Sequence, residues 1–516
     1  MLRRLPLLGL LLGLAVPALA QPAPDGPADG WHLGDAEADG VYGLSLDRAY
    51  ETLADREPQR TVVVAVIDSG VDIEHEDLAG QIWTNEDEIP GNGLDDDGNG
   101  YADDVHGWNF IGGPDGRHVK YDTFELAREV ARLRREAAAT NVAPEARARL
   151  VELEAELAAE RAEYEGYVAQ LGGIAPVVQR ADALVRDHFQ LADADAYTTE
   201  DLQALATDDP ALAQSRDILL YLAANGLTAR DLADQFESLE ARLRYGLDPD
   251  FDPRGIVGDD YADAEDRFYG NPDVAGPDPS HGTAVAGVIA AVRGNGLGID
   301  GVAPGVLVMP IRAVPNGDER DKDVANAIRY AVDNGADVVN MSFGKGLSPE
   351  KPWVDAAVRY AEARGVLLVH AAGNDGADID VAPNFPNRLL ADGPEAANWI
   401  EVGASRWDAA LAASFSNYGQ TRVDVFAPGE RITTLAPGDR TTTTDGTSLA
   451  APLVSGVAAL LLAYYPDLAP ADVRTLLLDT ATRHDAEVPR PGSETGEAVG
   501  FGALSATGGV VNAHAA

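Results

Sequence analysis

The stretch Thr444–Pro466, TDGTSLAAPLVSGVAALLLAYYP, decides how this chain is read. It opens as a polar turn through Asp445, Gly446 and Thr447. From Leu449 it runs on as an Ala- and Leu-rich segment with no charge before Asp467. A run that is apolar all round predicts a helix buried in a core, and its length argues against a bilayer span. Pro452 is expected in the first turn, where a missing N–H has no intrahelical partner to lose. Ser448 then stands at the start of a buried helix, where the dipole and the unpaired N–H groups favour negative charge. A hydroxyl that must become a nucleophile gains from that place. For an isolated Gly-Thr-Ser the plainer reading is a helix cap, so the choice rests on the rest of the chain.

Upstream, residues 61–67, TVVVAVI, form a β-branched run of the kind found in buried parallel strands, and they end in Asp68-Ser69-Gly70. Functional groups collect at the carboxyl ends of such strands. An Asp there is a turn former or a site residue, and the stretch alone does not choose. Past residue 251, expected strands at 306–313, 337–341 and 366–371 alternate with expected helices at 323–334 and 354–364. Alternation of this kind predicts an α/β fold, a doubly wound, mostly parallel sheet with helices on both faces.

Residues 120–250 break the pattern. Ala, Glu, Arg and Leu dominate, and segments such as PEARARLVELEAELAAERAEYEGYVAQL have helical spacing. Pro144 suits a helix start, and Thr228 with Asp231 resembles a capping box. The reading is a long all-helical insertion, including a hairpin of long helices, whose charges form a solvated face. No catalytic motif lies in it.

Composition narrows the function. Arg3 and Arg4 precede an apolar run, and Ala18-Leu19-Ala20 follows, so residues 1–20 read as a secretory signal cleaved near Ala20. Residues 21–40 read as a tail. The mature protein is expected to be soluble, without a membrane span, in the periplasm or the medium. There is no cysteine, which excludes disulfides and thiol catalysis. The 39 basic and 85 acidic residues sum to a formal charge of −46. Phosphates would be repelled, so nucleic acid is not an expected partner. Most of that charge reads as a solvated acidic surface. Oligomeric state is left open, with a monomer as the default expectation.

Three boxes stand together: VAVIDSGVD around Asp68, SHGTAVAGVIAA around His281 and DGTSLAAP around Ser448. In the order Asp, His, Ser they resemble the subtilisin-like serine proteases, the subtilases. HAAGNDG around Asn374 resembles the family's oxyanion segment, and NMSFG, GVAPG, SNYG and FAPG match further. The resemblance covers residues about 40–112 and 251–510, and residues 41–119 and 251–516 are read as two parts of one peptidase domain. It implies a serine endopeptidase acting on proteins or peptides, with no catalytic cofactor. Ser448 would attack the carbonyl, His281 would shuttle the proton and Asp68 would orient the imidazole. Asn374 and the Ser448 N–H would receive the oxyanion. By the same resemblance Ser342, Phe343 and Gly344 would wall the substrate cleft, and the backbone near Gly317 would pair with the peptide as an added strand. Asn384 would close the specificity pocket, where familiar members of the family carry Gly, and would make it short or polar. The alternative of another class is a catalytically silent binding or scaffold protein on the same fold.

Two calcium sites are expected. In NEDEIPGNGLDDDGNGYADDV, the oxygen-bearing Asp95, Asp97 and Asn99 alternate, with Asp103 beyond, as in a calcium loop; His106 stands where an EF-hand has Glu. The other reading of that loop is a solvated turn. The second site is implied by the resemblance: Asp77, Asn295 and the carbonyls of Leu297 and Ile299, holding a structural Ca²⁺.

Overall fold

The computed structural model describes residues 26–138, 143–191, 197–303 and 305–516. The expected leader, residues 1–20, lies outside the described residues. Two compact units emerge: Tyr121–Asp252 forms one, and the described residues up to Lys120 with Pro253–Ala516 form the other.

The larger unit is built on a nine-stranded sheet. Its main strands are β1 (Val63–Asp68), β2 (Trp108–Asn109), β3 (Leu307–Arg312), β4 (Val338–Met341), β5 (Leu367–Ala371), β6 (Trp399–Ser405) and β7 (Val425–Pro428). They lie in the order β7-β6-β5-β4-β1-β3-β2 and all pair in parallel. Gly509–Val510 adds in parallel beyond β7, and Thr482–Arg483 closes that edge antiparallel. Strands buried on both faces need apolar residues at nearly every position, which is what TVVVAVI supplies.

Helices cover both faces. On one side α1 (Ser280–Ala290) and α4 (Thr447–Tyr464) pack against Val64, Val66, Val369 and Val402. On the other, α2 (Asp321–Asp333) and α3 (Lys351–Ala363) pack against Ala65, Ile67, Val339 and Leu368. Alternate residues of β1 thus feed opposite cores, as a strand's period of two requires. This is the doubly wound sheet expected from the sequence.

Helix α4 corrects two details. At 18 residues it is long and apolar enough to cross a membrane, so length alone excludes nothing; 94% of it is buried inside the fold. Pro452 is its sixth residue, beyond the first turn.

The smaller unit is all-helical among its described residues. One helix of 46 residues, Pro144–Phe189, runs its length. Leu153, Leu157, Tyr164, Leu171, Val178 and Val185 bury one stripe of it, at steps of four and seven residues that return to the same helix face. Helices Glu125–Ala137, Pro210–Ala224 and Ala229–Ala241 pack along it. The expected hairpin of long helices is thus one long helix with shorter ones laid against it. Thr228 and Asp231 form a reciprocal capping box at the start of the last.

Candidate active site

The residues singled out in the sequence form two groups past strand ends, Asp68 with His281 and Asn374 with the Thr447–Ser448 turn, and no hydrogen bond joins His281 to Ser448 among the described residues. Asp68 is the last residue of β1 and is buried. Its Oδ1 accepts from the Ser69 N–H at 2.7 Å and lies 2.8 Å from His281 Nδ1. His281 is the second residue of α1, and Gly282 lets that helix approach. A Cβ there would lie 2.1 Å from the Gly70 carbonyl oxygen and 3.2 Å from Asp68 Cβ. The His281 side chain is 44% exposed and that of Asp68 only 2%, so the ring presents its far edge to solvent from a buried anchor. Burial would lower the imidazole pKa. The charge and hydrogen bond of Asp68, with the charge of Asp278, hold it above the ordinary value instead.

Ser448 is the second residue of α4. Its N–H is one of those an α-helix leaves without an intrahelical acceptor. Asn374 follows β5, and its Oδ1 accepts from the Thr447 N–H at 2.8 Å and the Thr447 hydroxyl at 3.0 Å. Those bonds turn the Asn374 amide nitrogen toward the nucleophile. A Cβ on Gly446 would sit 2.7 Å from Ser448 Oγ and 3.6 Å from Asn374 Nδ2, so both atoms border one small space. The Asn374 turn is itself clamped. The Asn417 side chain accepts from the Asp375 and Ala377 N–H groups and donates to the Ala372 carbonyl. SNYG was visible in the sequence, but the work of its Asn417 was not.

Ser342 departs from expectation. It is buried, and its hydroxyl donates to the Ser448 carbonyl at 2.9 Å. Its side chain therefore faces the nucleophile's helix, which leaves only its backbone for the expected cleft wall. The reason is Pro452. A helix would normally satisfy the Ser448 carbonyl with the N–H four residues on, and proline has none. Asn340 donates to Ser342 Oγ and accepts from Ser455, which extends the chain of bonds back into α4. Asn340 stands in the NMSFG match and Ser455 in the opening stretch, but the sequence assigned neither of them this bond.

Gly344 is exposed and Phe343 half-buried after β4, and Gly317 follows β3. Asn384 stands against Gly344, where a Cβ would meet Asn384 Oδ1 at 2.5 Å. Asn384 Nδ2 donates to the carbonyls of Ala371 and Ala372, both at 3.2 Å. Its Oδ1 accepts no hydrogen bond among the described residues and is left as an acceptor at this corner.

The two expected cation sites differ. Asp77 is wholly buried and accepts from Asn295 Nδ2 at 2.6 Å and from the Ile299 N–H at 2.9 Å. Leu297 donates its N–H to Asn295 Oδ1, closing the loop. Among the described residues no basic side chain pairs with Asp77, and a buried carboxylate without a counter-ion suits an oxygen-ligated cation. In the acidic loop, Asp95 and Asp97 converge with Glu88, which the sequence reading missed. Asn99 meets them as a donor, its N–H to Asp95 and Asp97 and its Nδ2 to Asp97 Oδ2 at 3.0 Å, and the Asp103 N–H donates to Glu88 Oε2 at 3.0 Å. Asn99 Oδ1 caps the Tyr101 N–H, and the Asp103 carboxylate accepts from the N–H groups of Asn92 and Gly93. Asp103 has φ 59°, and this left-handed turn carries its side chain back over the loop.

Comparison with known proteins follows this geometry. The sequence profile described as Subtilase family matches residues 59–502. The thermophilic serine proteinase of Bacillus sp. strain AK1 is 40% identical over 215 residues, 41% of this chain and 48% of that one. The extracellular protease of Xanthomonas campestris pv. campestris is 38% identical over 254 residues, 46% of this chain and 39% of that one. Thermitase of Thermoactinomyces vulgaris is 40% identical over 182 residues, 35% of this chain and 60% of that one. The chain thus spans about half the length of the relatives it matches. With the profile matched from residue 59 to residue 502, the chain belongs to the subtilase family.

Proposed function

We propose that this chain is a secreted serine endopeptidase that hydrolyses peptide bonds of proteins through an acyl-enzyme, without a catalytic cofactor. The observation that carries the reading is the 2.8 Å contact of His281 Nδ1 with Asp68, in a fold whose Ser448 opens α4 beside the Asn374 amide. Ser448 Oγ attacks the substrate carbonyl as His281 Nε2 takes its proton. Asp68 holds the Nδ1 tautomer and stabilises the imidazolium. The oxyanion is received by Asn374 Nδ2 and the Ser448 N–H, donors already aimed and needing little reorganisation. His281 returns the proton to the leaving amine, and water repeats the sequence on the ester.

The peptide lies as an added strand beside Gly317 and the Phe343–Gly344 backbone, which reads main chain before side chains. Asn384 closes the pocket with an amide, favouring small or polar side chains at the cleaved position. Asp77, Asn295 and the carbonyls of Leu297 and Ile299 hold a structural Ca²⁺, and the Glu88–Asp95–Asp97 loop is read as a second, weaker position. Residues 1–20 direct export, a reading in keeping with the name of the Xanthomonas relative, an extracellular protease.

The test is a fluorophosphonate probe on the purified chain, followed by cleavage-site profiling on a peptide mixture. Labelling at Ser448, lost in Ser448→Ala, with internal cleavages after small or polar residues is expected. An unlabelled, well-folded chain would identify a silent binding protein, and a preference for large aromatic side chains would overturn the role of Asn384.

A further inference from the structure

Lys345 follows directly on Gly344, yet its side chain is buried, 1% exposed. Its ammonium lies 2.9 Å from Asp321 Oδ1 and donates to the Glu319 carbonyl at 2.8 Å. Its own N–H donates to the Phe385 carbonyl at 3.0 Å, and its carbonyl accepts from the Phe385 N–H at 2.9 Å. Lys345 therefore ties its own segment, Ser342–Lys345 after β4, to two others, Gly317–Asp321 after β3 and Asn384–Phe385. These are the segments read above as the walls and floor of the substrate groove. Asp321 is anchored in turn, accepting from the Ser348 hydroxyl and the Glu350 N–H, both at 2.9 Å. Glu319, beside it, is also buried.

Stability does not explain such a cluster. Taking several charges out of water costs about as much as their attraction returns, and apolar residues of similar volume generally serve a core as well. What a buried ion pair adds is registry, because an ammonium must reach its acceptors at hydrogen-bond distance. A lysine suits the task here, with a compact charge on a long stem able to bond a carbonyl and a carboxylate at once.

We propose that Lys345 is a positioning residue which sets the width of the substrate groove, tying the Gly317–Asp321 wall to the Gly344 wall and the Asn384 floor. It touches no substrate atom and acts through the backbone that pairs with the peptide. The inference rests on the endopeptidase reading, in which the peptide lies along this groove.

The experiment compares two substrates on the full chain, a tetrapeptide anilide and an N-acetyl amino-acid ester that reaches only the pocket beside Ser448. The variants are Lys345→Met and the double variant Lys345→Met/Asp321→Asn, which leaves no orphaned aspartate should the single change fail to fold. In the folded variant kcat/KM for the anilide is expected to fall about tenfold or more, mainly through KM. The ester is expected to stay within about twofold. Equal losses on both substrates, or no loss on either, overturn the proposal. A wild-type chain that turns over neither substrate and takes no fluorophosphonate overturns the endopeptidase reading itself.

Discussion

Ser342 donates its hydroxyl to the main-chain carbonyl of Ser448, 106 residues away in sequence. The bond replaces the one that Pro452 cannot make within α4, and it ties the nucleophile's turn to the end of β4. Ser342→Ala should leave that carbonyl without a donor. An unsatisfied buried acceptor costs about 1–3 kcal/mol. The expected outcome is a lower midpoint in denaturant with an unchanged slope, and a midpoint equal to wild type would show the bond to be dispensable.

The Asp68–His281 pair sets a pH profile. His281 must be neutral to take the Ser448 proton, and its pKa is raised above the ordinary value near 6.5. The rate, read as kcat/KM, should rise with pH through an inflection above 6.5. Asp68→Asn removes the main upward influence, so the inflection should move down while kcat falls about 10⁴-fold. The same shift bears on stability. Its contribution is complete below the unfolded pKa and is lost as pH rises through the folded one. A pH profile whose inflection does not move in Asp68→Asn would break the pairing.

On the proposed mechanism Asn374→Ala removes a donor to the oxyanion, together with the acceptor of the Thr447 N–H and hydroxyl beside the nucleophile. Loss of about 10²–10³ in kcat with little change in KM is expected, because the bond strengthens only in the transition state. A change carried wholly by KM would move Asn374 from catalysis to ground-state binding.

Asp77 tests the calcium reading. A chelator should lower the melting temperature of the wild-type chain, and added Ca²⁺ should restore it, since a ligand of the native state stabilises by mass action. Asp77→Asn should lose most of this response. A wild-type melting temperature indifferent to chelator would remove the ion from both proposed positions.

Glu319 predicts a stability profile of opposite cause. Burial pushes its carboxyl from 4.5 up to about 8, with the Lys345 charge opposing and Asp318 and Asp321 adding. Between those two values the folded chain holds a proton that the unfolded chain has released, so stability declines as pH rises across the window. Glu319→Gln should gain on wild type between pH 5 and pH 9, and melting curves that run parallel over this range would refute the assignment.

Much of the architecture was legible from local patterns. TVVVAVI reads as a buried parallel strand and the run from Leu449 as a buried helix because periodicity and composition are properties of consecutive residues. Asp68, His281, Asn374 and Ser448 stood out because each lies in a short box whose residue types suit one chemistry. The acidic loop was legible in part. Asp95 and Asp97 converge as their alternation suggests, but Glu88 comes to them from outside that alternation, and no local pattern announced it.

The sequence by itself determined the alternation of strands and helices, the family resemblance and the residue types at the strand ends, since all of these are written in runs of neighbouring side chains. Tertiary structure alone decided that Ser342 turns inward to Ser448, that Asn417 clamps the Asn374 turn, and that Lys345 joins three segments. Those bonds link residues tens to hundreds of positions apart. A buried polar atom takes whichever partner the packed core brings within reach, and no local pattern records that choice.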